Sequence, residues 1–299
     1  MFILATTLLI YKLLSVDLNI DDIRAQMSIN NGQEILLAFA WISEEELSLV
    51  KRFPEFFALD VTERTNIEKR SMFLVTGQDG NNKLFIVLHC FMPNAQMDSF
   101  NWIYDYAMPL LIGEETLLKN KATITDGENA LYSPLVNQTE KLGPWQNSKH
   151  YRCTYHLFTQ EWHKKVRGIQ VSDAAKDVIE SCRRWINSLI TEVQHPYQFT
   201  HSVKKFGEYL SINKVCIGNH AHQQISQIFF TSMMPIDVKW ARCHRPLRFD
   251  LDQSTSSHTE SMNHSLKETT SSTLAGMQLD TSSEAMLLHS KQLNEKREV

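Results

Sequence analysis

Short apolar runs that are broken by polar turns constrain the fold of this chain most strongly. Three of them, at residues 56–59, 71–75 and 83–88, follow one another with tight connections, and the turn at 78–81 contains Asp, Gly and Asn. Runs of this length between turn residues are typical of β-strands, and consecutive ones predict an antiparallel meander. A sheet is therefore predicted as the centre of the fold.

The residues after the meander alternate between helical and strand patterns. Residues 97–111 have apolar side chains at helical spacing, 122–125 form a strand-like run, 128–136 start like a helix, and 151–155 are predicted as a last strand. Three strands, helix, strand, helix, strand is the order of the ribonuclease-H-like fold. We therefore predict an α/β (α+β) fold with a mixed five-stranded sheet and flanking helices.

Apolar periodicity and composition divide the chain into five segments. We predict an N-terminal helical segment (1–46), a ribonuclease-H-like core (47–160), a large all-helical insertion (161–250), a further helix within 251–275, and a polar tail (276–299). The helical expectation for the first segment rests on the apolar spacing from Leu18 to about Glu46.

Cysteines and the apolar start bear on the compartment. The five cysteines are scattered without a CxxC pair, which argues against a secreted disulfide framework. The apolar start, residues 1–15, contains Lys12 and is shorter than the roughly 20 residues that span a bilayer, and it has no basic residue before the apolar run. We expect an intracellular protein without a membrane partner.

Charge is distributed unevenly along the chain. Residues 1–140 carry 10 Lys and Arg against 19 Asp and Glu, whereas residues 141–250 carry 16 against 8 and eight of the twelve histidines. A basic region beside an acidic one suits the binding of phosphates, because lysine and arginine supply the salt-dependent part of nucleic-acid affinity. A solvated helical face would give the same composition, so both interpretations stay open.

Two aspartates stand where predicted strands end. Asp60 follows the apolar run 56–59, and Asp126 follows the run 122–125 and precedes Gly127. An aspartate beside a central strand needs a compensating partner, and a divalent cation is one such partner. The alternative interpretations are a local turn for Asp60 and a helix cap for Asp126.

Cys153-x-x-His156 is a pair of zinc-type ligands. Two ligands are half of a tetrahedral site. A structural or DNA-contacting role and plain core packing are the alternatives to zinc. The residues that could complete a zinc site are His150, His163, Cys182, Cys243 and His244.

Four motifs in order resemble the transposase domain of Mutator-like elements and the related far-red-impaired-response proteins. They are residues 53–66 (FPEFFALDVTERTN), residues 125–131 (TDGENAL), the Cys153/His156 pair and residues 254–263 (STSSHTESMN), and the likeness runs from about Trp41 to Lys267. Each motif is short, but four in the right order are far more specific than one.

The resemblance implies a catalytic triad and its cofactor. Asp60, Asp126 and Glu260 would be both the catalytic and the metal-binding residues, and Glu260 would lie on the last catalytic helix, after the helical insertion. Two Mg²⁺ (or Mn²⁺) ions held by carboxylates can drive in-line displacement at a DNA phosphate. The supporting residues of this site are predicted to be Thr62, Asn66, Ser261 and Asn263.

The resemblance also sets the expected partners. They are DNA, as terminal inverted repeats and target DNA, and further copies of the chain, in the nucleus. Relatives often have arginine where this chain has His258, and they commonly carry zinc-binding modules, of which this sequence shows none. Three hypotheses therefore stay open: an active transposase, a domesticated DNA-binding transcription regulator, and an inactive remnant.

Overall fold

The chain divides after His150 into a sheet-containing unit and a helical unit that begins at Tyr151. The computed structural model describes residues 23–30, 33–62, 69–140 and 143–244. The two units have separate hydrophobic cores.

A mixed sheet of seven strands forms the first unit, in the order β1-β2-β5-β4-β3-β6-β7. The strands are β1 (Ile23–Asn30), β2 (Gln33–Trp41), β3 (Phe56–Thr62), β4 (Ser71–Gln78), β5 (Leu84–Met92), β6 (Ala122–Thr125) and β7 (Lys149–Arg152). The meander β3-β4-β5 is antiparallel, and β2 adds antiparallel to β5. The strand β6 pairs parallel with β3. The predicted mixture of strands and helices is confirmed, but the sheet has seven strands instead of five.

The two additional strands correct the prediction of an N-terminal helical segment over residues 1–46. The described part of that segment contains β1 and β2, which pair antiparallel along their length. Residues 35–42 are a continuous apolar run, and periodicity cannot distinguish a buried strand from a buried helix in a run of this kind. In the structure this run forms a strand, because Phe39 pairs with Phe91 on β5.

Helices pack on this sheet. They are α1 (Glu44–Arg52), α2 (Met97–Trp102), a π-helical turn (Ile103–Ala107), α3 (Met108–Ile112), α4 (Glu114–Leu117) and α5 (Asn129–Glu140). Because side chains alternate along a strand, Phe57 and Leu59 point to the face that packs with Phe100 and Leu131 of these helices. The helices predicted at 97–111 and 128–136 are thus present, the first with a π-turn inside it.

The second unit is helical between Thr154 and His244. Its elements are α6 (Thr154–His156), a π-helical segment (Leu157–His163), α7 (Lys164–Arg167), a 3-10 turn (Asp173–Ala175), α8 (Lys176–Thr191), α9 (Pro196–Ile212), α10 (Lys214–Ile217), α11 (Asn219–Ser226), a second π-helical segment (Gln227–Met233) and two 3-10 segments (Met234–Lys239 and Arg242–His244). Trp162, Ile186 and Ile190 are buried in its core, and Trp185 is partly buried against it.

In the described ranges, no helix combines the length and apolarity that crossing a membrane would require.

Candidate acidic metal site

Asp60 lies inside the central strand β3. Leu59 and Val61 face the helices, so alternation turns Asp60 to the opposite face of the sheet, together with Ala58. The side chain is 6% exposed. A carboxylate at this depth needs compensation of its charge, as the sequence led us to expect.

Asp126 is set beside Asp60 by the pairing of β3 with β6. Phe56 pairs with Ala122 and Ala58 with Ile124, and the same register carried two residues further aligns Asp60 with Asp126. Equivalent residues of parallel neighbours point to the same face, on strands about 4.8 Å apart. Extension of the register beyond its last pair, Ala58 with Ile124, would therefore place the two acidic residues at neighbouring positions of the sheet.

The turn after β6 fixes the conformation of Asp126. Asp126 Oδ1 accepts the Glu128 N–H at 2.9 Å, and Thr125 Oγ1 accepts the Gly127 N–H at 3.2 Å. Gly127 has a φ of 84°, a left-handed conformation that side chains disfavour. The alternative for Asp126, a helix cap that accepts backbone N–H groups, is therefore correct in that one of its oxygens accepts an N–H just before α5 begins. No described residue donates to the other oxygen, so this carboxylate can still bind a cation.

Hydrogen bonds at the amino ends of the same strands hold β3, β6 and β7 together. Asn120, which is fully buried, donates from Nδ2 to the Pro54 carbonyl at 2.9 Å and accepts the Ser148 hydroxyl at 2.5 Å. The N–H of Lys149 donates to the Lys121 carbonyl at 2.9 Å. These contacts fix the register that aligns the two aspartates.

Tyr104, on the π-helical turn, lies behind the Asp126 turn. Its ring packs between Phe73 and Trp145, and its hydroxyl is 3.5 Å from the Leu131 carbonyl on α5. Burial, and then the negative charge of Asp126, raise the pKa of the phenol well above its usual range. Tyr104 therefore stays protonated and acts as a rigid neutral support.

A second buried polar pair lies on the Asp60 face of the sheet. Asp60 pairs with Leu74 and Leu74 with His89, whose ring stacks on Trp41. His89 Nε2 lies 2.9 Å from Glu46 Oε1, and both side chains are fully buried. The sequence analysis did not predict this pair, although the sequence contains a signal for the position of Glu46.

That signal is the capping box at the start of α1, to which Glu46 belongs. Ser43 and Glu46 have the spacing of that motif, in which Glu46 accepts the Ser43 N–H at 2.8 Å and Ser43 accepts the Glu46 N–H at 3.3 Å.

The remaining predicted residues of the triad site are only partly described. Thr62 is half-buried as the last residue of β3. The other predicted members, Asn66, Glu260, Ser261 and Asn263, lie outside the described residues. Two of the three predicted carboxylates, Asp60 and Asp126, thus lie in the described residues on the paired strand β3 and directly after β6, and the triad itself stays a prediction.

Cys153 and His156 flank the first helix of the helical unit. Cys153 is fully buried as the residue that precedes α6, and His156 is its half-buried last residue. Within the described ranges, no group of three or more His, Cys, Asp or Glu side chains is placed to hold a metal ion. This pair therefore lacks the further described ligands that a closed zinc site needs.

A comparison with protein families bears on the class of protein to which this sheet-containing unit belongs. Residues 56–160 match the family model of the MULE transposase domain. The matched segment runs from β3 into the first helices of the second unit and includes Asp60, Asp126, Cys153 and His156. The predicted resemblance to the Mutator-like transposase domain is thus confirmed over residues 56–160. Comparison with curated proteins gave no match.

Proposed function

We propose that this chain is the catalytic core of a Mutator-like DNA transposase and that Asp60 and Asp126 hold its Mg²⁺ or Mn²⁺ ions. The observation that carries the proposal is the parallel register of β3 and β6, which aligns the two carboxylates inside the segment that matches the transposase family. Strands β3 to β7 with the helices between them have the element order of a ribonuclease-H-like core. We include that fold in the proposal.

The donor set at the site fits hard divalent cations. Mg²⁺ and Mn²⁺ prefer oxygen ligands, and both side chains supply carboxylates. Neighbouring like charges are costly when bare, and a cation between them removes that cost. Glu260, which the resemblance implies as a third ligand, is proposed to complete the set.

The proposed chemistry is cleavage and joining of DNA phosphodiesters. Divalent ions held by Asp60 and Asp126 would supply Lewis-acid activation of the attacking oxygen and charge stabilisation of the leaving oxygen. In the first step water bonds to phosphorus and loses a proton to solvent, while the bond to the 3′-oxygen breaks and that oxygen is protonated. In the second step the oxygen of the freed 3′-hydroxyl bonds to the phosphorus of a target phosphodiester and loses its proton to solvent, while the bond from that phosphorus to the target 3′-oxygen breaks and the released oxygen is protonated.

The role of the protein in these steps is positioning. Asp60 is held in the middle of the sheet and Asp126 by its turn, so neither carboxylate has to reorganise as the phosphate reacts. No side-chain nucleophile is required. The reaction is proposed to occur in the nucleus, on DNA ends that carry terminal inverted repeats.

A strand-transfer assay tests this function. Linear DNA ending in the inverted repeats that flank the gene is incubated with a supercoiled plasmid and Mg²⁺ or Mn²⁺. We expect joined products that disappear with EDTA and in Asp60→Asn and Asp126→Asn. Asp98→Asn, which changes an exposed aspartate on α2, is the matched control and should retain activity. Equal activity in all variants would remove the proposal.

A further inference from the structure

Positive side chains of the helical unit lie on α7, which follows its first π-helical segment, and on α8, which that segment contacts. His163 ends the π-helical segment, and Lys164 and Arg167 follow on α7. Arg183 and Arg184 lie on the middle of α8, at helical spacing from Glu180. We call these five residues, His163, Lys164, Arg167, Arg183 and Arg184, the basic face.

Most of the charge of the basic face is available to a partner. Lys164 and Arg167 are exposed and form no ion pair with a described residue. Arg183 and Arg184 share one acid: Arg183 Nη1 is 2.6 Å and Arg184 Nε is 3.7 Å from the carboxylate of Glu180. The Arg184 side chain is 78% exposed. Four permanent positive charges thus face a single described carboxylate.

The pKa of His163 depends on the neighbouring charges of the basic face. Burial lowers its pKa, and the positive charges of Arg183 and Arg167 lower it further, whereas Glu180 acts in the opposite direction. Both arginines are therefore close enough to the imidazole to act on its proton. The contact of the π-helical segment with α8 thus places His163 between basic residues of α7 and α8.

We propose that the basic face binds the phosphate backbone of duplex DNA. The choice of DNA rests on the proposed function, whereas the affinity for phosphates rests on the charges themselves. Guanidinium groups bind phosphate oxygens with two parallel hydrogen bonds, and exposed lysine adds a mobile charge. Contacts of this kind position a protein on DNA and carry no sequence information.

A DNA-binding assay without divalent metal tests the basic face separately from catalysis. Binding of a fluorescein-labelled 30-base-pair duplex to the full chain is measured by anisotropy in EDTA at several salt concentrations. Lys164→Ala/Arg167→Ala should reduce the slope of log K against log salt by about 1.8, because each lost phosphate contact removes about 0.9. Between 50 and 200 mM salt, the affinity of the wild type should therefore fall about 12-fold more than that of the variant.

Lys176→Ala is the matched control. Lys176 is exposed at the start of α8 and pairs with Asp173 at 2.6 Å, so its removal should leave the slope unchanged. Alanine favours helix at all three positions, and circular dichroism checks that the variants fold.

Histidine NMR adds a local readout. Addition of unlabelled duplex should raise the pKa of His163, because phosphates neutralise the arginine charges that lower it. In Asp60→Asn the same rise should occur.

Three results would overturn the proposal: absence of DNA binding by the wild type, an unchanged slope in the double variant, or equal binding of polyglutamate through these residues. The last would assign the surface to an acidic protein. Failure of the proposed function is distinguishable from all of them. In that case the basic face would bind DNA as described, while metal-dependent strand transfer would be absent or insensitive to Asp60→Asn.

Discussion

Removal of one charge from the Asp60/Asp126 pair should stabilise the protein when divalent metal is absent. Both side chains are aspartates at equivalent positions of neighbouring parallel strands. We take Asp60→Asn, Asp126→Asn and the double variant as a cycle, since asparagine keeps the shape and removes the charge. Each single variant relieves the repulsion completely, whereas the double variant relieves the same repulsion only once.

The strand spacing gives the size of the effect. Two unit charges about 4.8 Å apart repel by about 0.9 kcal/mol in water and by about 3.5 kcal/mol at an effective dielectric constant of about 20. Asp60 is buried and Asp126 is half-buried, so the environment lies between these limits. In EDTA the double variant should therefore be less stable than the sum of the single effects by about 1–3 kcal/mol.

Mg²⁺ should reverse the sign of this coupling. Each single variant loses the stabilisation that the bound ion gives to the folded state. The double variant loses that same stabilisation only once. A Mg²⁺ concentration about 1,000-fold above the dissociation constant stabilises the wild type by about 4.1 kcal/mol, which exceeds the repulsion of about 1–3 kcal/mol. The double variant should then be more stable than the single effects together predict.

The assay has to report on the sheet alone, because the chain has two compact units. Hydrogen exchange of peptides that cover β3 and β6, measured over a series of urea concentrations, meets that need. Asp60→Asn combined with Asp98→Asn is the control cycle and should be additive within about 0.5 kcal/mol. Additivity of Asp60→Asn with Asp126→Asn in EDTA would show that the two carboxylates do not meet, and would refute this account of the site.

Three further predictions concern the surrounding structure. Gly77→Ala should destabilise the first unit by about 1–3 kcal/mol in urea unfolding, because the new Cβ would lie 2.4 Å from the ring of Phe85 on the neighbouring strand. Glu46→Ala should cost about 3–5 kcal/mol in the same measurement, because it removes the α1 cap and the fully buried partner of His89. Burial raises the pKa of the Cys182 thiol to about 12, so this cysteine should not react with a thiol reagent at pH 8 until the helical unit unfolds.

The controls for these three predictions are Gly80→Ala, Glu44→Ala and Cys216. The Cβ of Gly80→Ala would come no closer than 3.8 Å to another residue, and Glu44 is exposed in the first turn of α1. Both variants should unfold like the wild type. The exposed Cys216 should react rapidly in the folded protein. Equal stability of a variant and its control, or equal labelling of Cys182 and Cys216, would contradict the corresponding prediction.

The sheet was predictable where local signals agree. Strands β3, β4 and β5 have apolar runs with turn residues between them, and in the turn Asp79 Oδ1 accepts the N–H groups of Asn81 and Lys83. The strand β6 begins and ends at the predicted residues. The strands β1 and β2 were missed because their partners, not their periodicity, make them strands.

The candidate site was predictable in its residues but not in its geometry. Strand ends located Asp60 and Asp126 in the sequence, yet their alignment depends on the parallel pairing of β3 with β6, which no local pattern specifies. The contact of Glu46 with His89 was likewise not predictable from a local pattern, since 43 positions separate the two residues. The role of Glu260 stays a prediction, as do the relation to far-red-impaired-response proteins and the oligomeric state.

Metal-directed cleavage of the polypeptide tests the shared metal site most directly. Fe²⁺ is bound in place of Mg²⁺, and ascorbate with peroxide then generates radicals that cut the chain beside the ion. We expect cuts near residues 60 and 126 together, suppressed by excess Mg²⁺ and lost in Asp60→Asn. Cuts at neither position, or an unchanged pattern in Asp60→Asn, would contradict the assignment of these two carboxylates to one cation site.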